Sequence, residues 1–430
     1  MLHSKSSQSS KSGLIIRRQI QMTERLYYHD AYLKEFEACV VSAERAEGGG
    51  ASSERWNIVL DRTAFYPTSG GQPHDLGTLG AGRVVEVIDG DDGNIVHVVE
   101  GRVTDGRAGE GAVHGAIDWA RRFDHMQQHT GQHLLSATFI ELFQFPTVSF
   151  HLGRDACTID LETLALSTEQ LEAAERRANE IVFEDRPVTI RFGSAEELAR
   201  DGARKEVKRE GTLRAIAIEG FDLQPCGGTH VARTGQIGTI LLRSTEKAKK
   251  NWRVEFVCGE RARAAARRDR ELLTQAARQM GCGPAELPAM VARGIEERQA
   301  NHRSRQRLLE ELVSMEALTM LAFRSTQEKT GGTRTLARVF EDADADYLRM
   351  LAGKLIEEPG VRVLFASRAA GQIVFAQTPR LGGDLGAVLR EMVTAAGGKG
   401  GGTKDFAQGN VPDVRGLEGL IESAQEKLRE

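Results

Sequence analysis

The sequence lacks any long apolar run. None of its hydrophobic stretches approaches the roughly 18 residues that a helix needs to cross a bilayer, and no hydrophobic segment of the kind that directs secretion stands near residue 1. We therefore expect no contact with a membrane and a cytoplasmic location.

The sequence also lacks a paired set of cysteines. It has only five, an odd number, and they are widely separated along the chain, which argues against a disulfide framework. At least one of them should be free or bound to a metal. The five are Cys39, Cys157, Cys226, Cys258 and Cys282.

The sequence also lacks a large excess of positive or of negative charge. The chain has 57 basic and 61 acidic residues, for a formal net charge of -4. Such a balance creates no field over the whole molecule that would attract a polyanion. Any surface that binds nucleic acid must therefore be local.

The length and composition predict a multidomain globular protein of mixed fold class. Single hydrophobic cores stop growing near roughly 250 residues, so a chain of 430 residues should form about two to four domains. Short β-branched runs between glycine-rich turns, such as Trp56–Leu60 and Arg83–Ile88, predict a small antiparallel barrel near the N-terminus. The predicted segments are a disordered tail at 1–21, an antiparallel β-barrel at 22–118, an α+β domain at 119–260, a helical connector at 261–335 and an α/β domain at 336–430.

A histidine-rich segment is the most informative part of the chain. Asp124 and Gln127 have the spacing of a capping box, which predicts that a helix begins there. Residues four apart lie on one face of a helix, so His129 and His133 can offer their imidazoles to the same ion. His125 extends that face by one turn, and its role stays open.

A second motif completes a set of metal ligands. In Cys226-Gly227-Gly228-Thr229-His230 the glycine pair permits a tight turn that brings a thiolate and an imidazole together. With the two histidines of the helix this makes four nitrogen and sulfur ligands, a set that suits tetrahedral Zn²⁺. A purely structural zinc is the alternative, since four protein ligands leave no position for water.

Five stretches of the chain from Met22 onwards are informative when taken together: Phe65–Pro73, His129–His133, Ser149–Gly153, Cys226–His230 and Gly400–Gly409. In this order they resemble the alanyl-tRNA editing family, which comprises freestanding homologues of the editing half of alanyl-tRNA synthetase. The resemblance is to the longer form of the family, which keeps a C-terminal domain, and it spans nearly the whole chain.

The resemblance implies both an activity and an architecture. It implies a zinc ion held by His129, His133, Cys226 and His230, and hydrolysis of the ester that joins serine or glycine to alanine tRNA. It also implies a first domain similar to a translation-factor barrel, a central zinc-binding editing domain and a last domain of the DHHA type, which in the family supports a homodimer. No class II aminoacylation core is expected, so the chain should edit without charging tRNA.

Deacylation needs water to attack an ester carbonyl and a group to stabilise the oxyanion. The backbone N–H groups of Gly227 and Gly228 are candidate oxyanion donors, because glycine permits close approach. No Ser-His-Asp signature indicates a covalent route.

Recognition of the misplaced amino acid requires polar groups that can read a hydroxyl. Thr130, Gln132 and Ser149 are the candidates, with ordinary hydrogen bonding as the alternative for each. In the synthetase a threonine precedes the second zinc histidine, whereas this chain has Gln132 there.

Arg253 aligns with a family arginine near the pocket, although a surface arginine is the alternative. Asp75 is best interpreted as a turn residue, with a role at the tRNA entrance as the alternative.

Contacts with tRNA should come from local basic patches and from glycines that let the backbone approach a phosphate. Basic runs occur at 200–209 and 243–250, although such runs are usually solvated faces. The candidate residues are Gly70, Gly71, Gln72, Lys205, Lys208, Arg209, Lys399 and Lys404.

Two other functions compete with an esterase. One is a zinc-stabilised module that binds tRNA without catalysis, as a partner of a synthetase. The other is an editing factor for threonine tRNA, which would share the zinc motif. The barrel and the terminal glycine-rich loop argue against the second.

Overall fold

The computed structural model describes residues 22–46, 54–101, 103, 112–204, 211–322, 332–369 and 371–429. The predicted tail at 1–21 and the predicted tRNA contacts Lys205, Lys208 and Arg209 lie outside these residues. The chain divides into two compact units, Met1–Leu273 and Thr274–Glu430. Among the described residues, no helix is both long and apolar enough to cross a membrane.

The first unit begins with a closed antiparallel barrel in the strand order β2-β3-β7-β6-β5-β8, as the sequence predicted. Alternating side chains of β2, among them Phe36, Ala38 and Val40, are buried in its core, which is the period expected of a strand with one buried face. β1 and β4 pair with each other outside the barrel. The strands are β1 (Glu24–Arg25), β2 (Glu35–Arg45), β3 (Arg55–Leu60), β4 (Arg62–Thr63), β5 (Gly77–Leu79), β6 (Gly82–Asp89), β7 (Ile95–Glu100) and β8 (Ala112–Ile117).

A long helix, α1 (Trp119–Phe143), follows the barrel. It begins earlier than predicted, because the carboxylate of Asp118 accepts a hydrogen bond from the Arg121 N–H and caps the first turn. The predicted start at Asp124 is wrong: this carboxylate lies within the helix and pairs with Arg261 at 2.6 Å. The histidine face is therefore presented from the middle of a well-anchored helix.

Two small sheets complete the first unit around α1. One has the strand order β14-β15-β10-β9 and the other β11-β12-β13. Leu134, Phe139, Ile159 and Phe256 share their common apolar core, so α1 packs against the larger sheet. The elements are β9 (Thr147–Leu152), β10 (Cys157–Leu161), α2 (Thr168–Phe183), β11 (Val188–Gly193), α3 (Ala195–Arg200), β12 (Leu213–Ile218), β13 (Asp222–Pro225), β14 (Ile240–Ala248) and β15 (Asn251–Cys258).

Two helices, α4 (Gly259–Gln279) and α5 (Leu287–Ala322), occupy most of the segment predicted as a helical connector. In the second unit a mixed sheet has the strand order β16-β17-β18-β20-β19. Successive residues of β17 and β18 enter two different apolar cores, one with α7 and α8 and one with α5 and α6, so both faces are covered. The elements are β16 (Arg334–Phe340), α6 (Ala345–Leu355), β17 (Val361–Ser367), β18 (Gln372–Gln377), α7 (Leu385–Ala395), β19 (Lys399–Gly402), β20 (Phe406–Asn410) and α8 (Leu417–Lys427).

Candidate metal centre

The structure brings the four predicted metal ligands together. One ligand atom from each of His129, His133, Cys226 and His230 lies within 4.8 Å of the others. The two α1 histidines project from one helical face, and β13 delivers Cys226 to the turn that also carries His230. Segments almost a hundred residues apart thus meet at one point.

The spacing of these atoms fits a zinc ion. The Sγ of Cys226 lies 3.5 Å from Nε2 of His129 and 3.3 Å from Nε2 of His230. A tetrahedral zinc with ordinary bond lengths separates a sulfur ligand from a nitrogen ligand by about 3.5 Å. The donor set and these two distances are therefore compatible with a zinc ion.

The electrostatics at Cys226 and His230 favour the protonation states that a metal requires. Burial opposes ionisation of Cys226, but the three imidazoles around it hold the pKa of its thiol well below the usual value. The Gly228 N–H also donates to its Sγ at 3.3 Å. Burial lowers the pKa of His230 well below its usual value. A thiolate and a neutral imidazole are the forms that bind zinc.

A carboxylate stands behind His133. Oδ2 of Asp222 lies 3.7 Å from Nδ1 of His133, and both side chains are almost fully buried. Burial lowers the pKa of His133, but the Cys226 thiolate and Asp222 outweigh it and raise the pKa to about 9. Asp222 is itself held by Arg204, whose Nε donates to it at 2.9 Å. A carboxylate behind a metal histidine orients the ring and raises its basicity.

The barrel supplies the corresponding partner for His129. Oε1 of Gln72 lies 2.9 Å from Nδ1 of this histidine, and it also accepts a hydrogen bond from the Thr229 N–H at 3.1 Å. The amide nitrogen of Gln72 donates to Oγ1 of Thr229 at 2.8 Å. Gln72 was predicted to contact tRNA, but its side chain is fully buried and all of these bonds point inward. It orients His129, a candidate metal ligand.

Thr130 holds the third histidine. Its hydroxyl donates to the Met126 carbonyl at 2.8 Å, lies 3.1 Å from Nδ1 of His230 and accepts a hydrogen bond from the Val231 N–H at 3.1 Å. These contacts use its donor and both of its acceptor positions. The hydroxyl therefore positions His230 and has no donor or acceptor position free for a hydrogen bond with a substrate.

A buried arginine that sequence analysis missed shapes the Cys-Gly-Gly turn. Nη1 of Arg214 donates to the carbonyls of Cys226 and Gly228 at 2.8 and 2.9 Å, and Nε donates to the Tyr28 carbonyl at 3.0 Å. The guanidinium also lies over the Tyr28 ring. No sequence motif predicts this contact, because it depends on the pairing of β12 with β13.

The cluster forms part of the wall of an open cavity of about 300 Å³. Such a volume is at the lower end of small-molecule sites. Gln132 lines it and donates to Oγ of Ser136 at 2.9 Å, while Ser149 lines it from β9. Predicted residues on its wall are His129, His133, Cys226, Gln132, Ser149, Gly70, Gly227 and Gly228.

Other predicted residues lie away from this cavity. Arg253 pairs with Asp160 across the β10–β15 ladder and lines a separate cavity of about 950 Å³, so the structure does not bring it to the metal cluster. Asp75 is fully buried and pairs with Arg122, which makes it a structural residue. His125 is buried outside the cluster, and burial together with neighbouring arginines lowers its pKa to about 3.

The two lysines predicted in the terminal glycine-rich loop are exposed on the second unit. Lys399 begins β19, and Lys404 stands in the turn between β19 and β20. The loop glycines Gly70 and Gly71 are exposed in the first unit. All four stay predictions as tRNA contacts.

Comparison with known proteins places these features in a family. The alanyl-tRNA editing protein AlaX-L of Pyrococcus horikoshii is 32% identical to this chain, over 95% of the chain and 99% of that protein. The chain belongs to the alanyl-tRNA editing protein family. Within this member of the family, residues 213–255 match the model of the threonyl and alanyl tRNA synthetase second additional domain, and residues 332–430 match the DHHA1 domain.

Other matches extend to synthetases and to a shorter region of a vertebrate protein. Residues 3–121 of this family member match the model of the class II (A) tRNA synthetases. The alanine–tRNA ligase of Pyrococcus furiosus is 32% identical over 94% of the chain, which spans 44% of that ligase. The alanyl-tRNA editing protein Aarsd1 of Danio rerio is 37% identical over 54% of the chain and 58% of that protein.

Proposed function

We propose that this chain is a zinc-dependent hydrolase that deacylates alanine tRNA carrying serine, with glycine as a further candidate for the wrong amino acid. The observation that carries the proposal is that the Cys–His cluster forms part of the wall of an open cavity. The relatives named as alanyl-tRNA editing proteins supply the substrate class.

The cavity offers groups for each step of ester hydrolysis. Zinc bound by His129, His133, Cys226 and His230 would supply Lewis-acid polarisation of a carbonyl or of water. The Gly227 N–H is the remaining candidate oxyanion donor, because the Gly228 N–H already donates to Sγ of Cys226. The exposed Gly227 leaves room for the ester to approach.

Binding of the rest of the tRNA should use charged groups at the surface. We propose Lys399 and Lys404 of the second unit, and Lys205, Lys208 and Arg209 of the first unit, as phosphate contacts. Gly70 stands on the cavity wall, where it lets a nucleotide backbone come close. We also propose that the DHHA1 region forms a homodimer.

A second candidate function is a tRNA-binding module with a structural zinc. It is favoured by the four protein ligands, which fill a tetrahedral coordination sphere. Such a module would retain tRNA but would not release an amino acid from it.

A deacylation assay separates the two functions. Alanine tRNA is charged separately with serine, glycine and alanine, and release is measured with and without a zinc chelator. The hydrolase should release serine rapidly, spare alanine and lose activity when zinc is removed. Retention of tRNA without turnover would favour the module, and rapid release of alanine would contradict selective editing.

A further inference from the structure

Gln224 lies close to the metal cluster but belongs to none of the interactions that hold it. It stands on β13 two residues after Asp222, so the two side chains point to the same face of the strand. Asp222 contacts His133 on that face, and Gln224 lines the same cavity as His133 and Cys226. The side chain is thus directed at the space where a substrate would bind.

The amide oxygen of Gln224 is unsatisfied. Oε1 is buried and has no hydrogen-bond partner among the residues that the structure describes. Most buried polar atoms in proteins are paired, so an unpaired amide oxygen beside a cavity calls for a donor that the described residues do not supply, such as a group that enters the cavity. The last torsion of glutamine is broad, which lets the amide turn towards a group that enters the cavity.

The other candidates for reading a hydroxyl are less suitable. The hydroxyl of Thr130 is fully used by Met126, His230 and Val231. Gln132 donates to Ser136, which holds its amide against α1. Ser149 is exposed to solvent, where water competes for its hydrogen bonds.

We propose that Oε1 of Gln224 accepts a hydrogen bond from the side-chain hydroxyl of serine attached to tRNA, which makes Gln224 a specificity-determining residue. The inference rests on the proposed function. Alanine and glycine present no donor at this position and would leave the oxygen unpaired. A site that pairs its own polar group only with the hydroxyl substrate discriminates against analogues that lack it.

The test compares serine with glycine on the same tRNA. In Gln224→Met the side chain keeps its length but loses the amide oxygen. The kcat/KM for serine divided by that for glycine should fall about tenfold, the size expected for loss of one neutral hydrogen bond. Zinc content is measured in parallel. The matched control is Gln275→Met, at an exposed glutamine of α4, which should keep the wild-type ratio.

A second variant tests whether the acceptor oxygen of Gln224, and not its amide donor, carries the discrimination. Gln224→Glu keeps an acceptor oxygen and loses only the amide donor, so it should preserve most of the ratio even if both rates change. The proposal is overturned if Gln224→Met lowers kcat/KM for both substrates equally, since Gln224 would then contact a group common to them. It is also overturned if Gln224→Glu lowers the serine-to-glycine ratio as much as Gln224→Met does. A wild-type protein that releases neither amino acid would instead refute the proposed function.

Discussion

Gly228 offers the sharpest test of the metal centre. This residue packs directly against a candidate zinc ligand: a Cβ atom added to it would lie 2.3 Å from Cε1 and 2.5 Å from Nδ1 of His129. Real Cβ atoms essentially never come closer than 3.0 Å to another heavy atom, so Gly228→Ala must push the ring away by at least about 0.7 Å. The same Cβ would also lie 3.0 Å from Oε1 of Gln72.

That displacement is large for a metal site. Zinc–ligand distances are held to within about 0.2 Å, and loss of an outer partner of a ligand already weakens binding about 10- to 100-fold. Moving the ligand ring of His129 should therefore lower zinc affinity at least about 100-fold. Neither glycine of the pair has a positive φ, so strain in the backbone does not contribute.

The adjacent glycine is the matched control. A Cβ on Gly227 would meet only the Tyr28 side chain, with its hydroxyl at 3.7 Å, an ordinary van der Waals distance. Zinc is measured by elemental analysis of the purified proteins and by competition with a chromophoric chelator, and folding by circular dichroism. If folded Gly228→Ala holds zinc as tightly as wild type, or if Gly227→Ala loses zinc equally, the assignment of His129 as a ligand packed on this turn is refuted.

Three further predictions concern Gln72 at the site and two buried groups elsewhere in the first unit, Asp75 and His97. Gln72→Leu removes the partner of His129 Nδ1 and should lower zinc affinity about 10- to 100-fold in chelator competition, and unchanged affinity would contradict its orienting role. Asp75→Ala leaves the buried Arg122 unpaired and should cost about 3–5 kcal/mol of unfolding free energy in urea titrations, whereas a cost below about 1 kcal/mol would count against the pair. Burial lowers the pKa of His97 from 6.5 to about 4, so the stability that its neutral ring contributes is complete above about pH 6.5 and falls by about 2 kcal/mol at pH 5. Between pH 7 and pH 5, the free energy of unfolding of His97→Gln should therefore fall by about 2 kcal/mol less than that of the wild type, and identical pH profiles would contradict this prediction.

The barrel and the cluster of four candidate ligands could be predicted because each depends on a local pattern. Short β-branched runs in β3 and β6 between glycine-rich turns indicate strands, and the spacings of His129 with His133 and of Cys226 with His230 indicate shared ligation. The start of α1 was misplaced because a capping-box pattern occurs inside the helix, where Asp124 serves a tertiary ion pair instead. Local spacing cannot distinguish these two uses of one carboxylate.

The residues around the ligands could not be predicted in the same way. Asp222, Arg214 and Gln224 reach the site only because β12 and β13 pair in one particular register, in which Ile216 lies opposite Gln224. A shift of one residue would turn Gln224 and Asp222 to the other face. Register is a tertiary property of the sheet, so single residues of this kind carry no signal in the sequence.

Gln72 connects the barrel segment with the Cys–His cluster of the first unit. This residue belongs to the loop between β4 and β5 of the barrel segment, yet its amide holds both His129 of α1 and Thr229 of the Cys–His turn. Without the barrel, Nδ1 of His129 would lose this partner and the cavity would lose the wall that Tyr66 and Gly70 form. The barrel is therefore a structural component of the proposed metal site, and its removal should weaken zinc binding as well as any contact that it makes with tRNA.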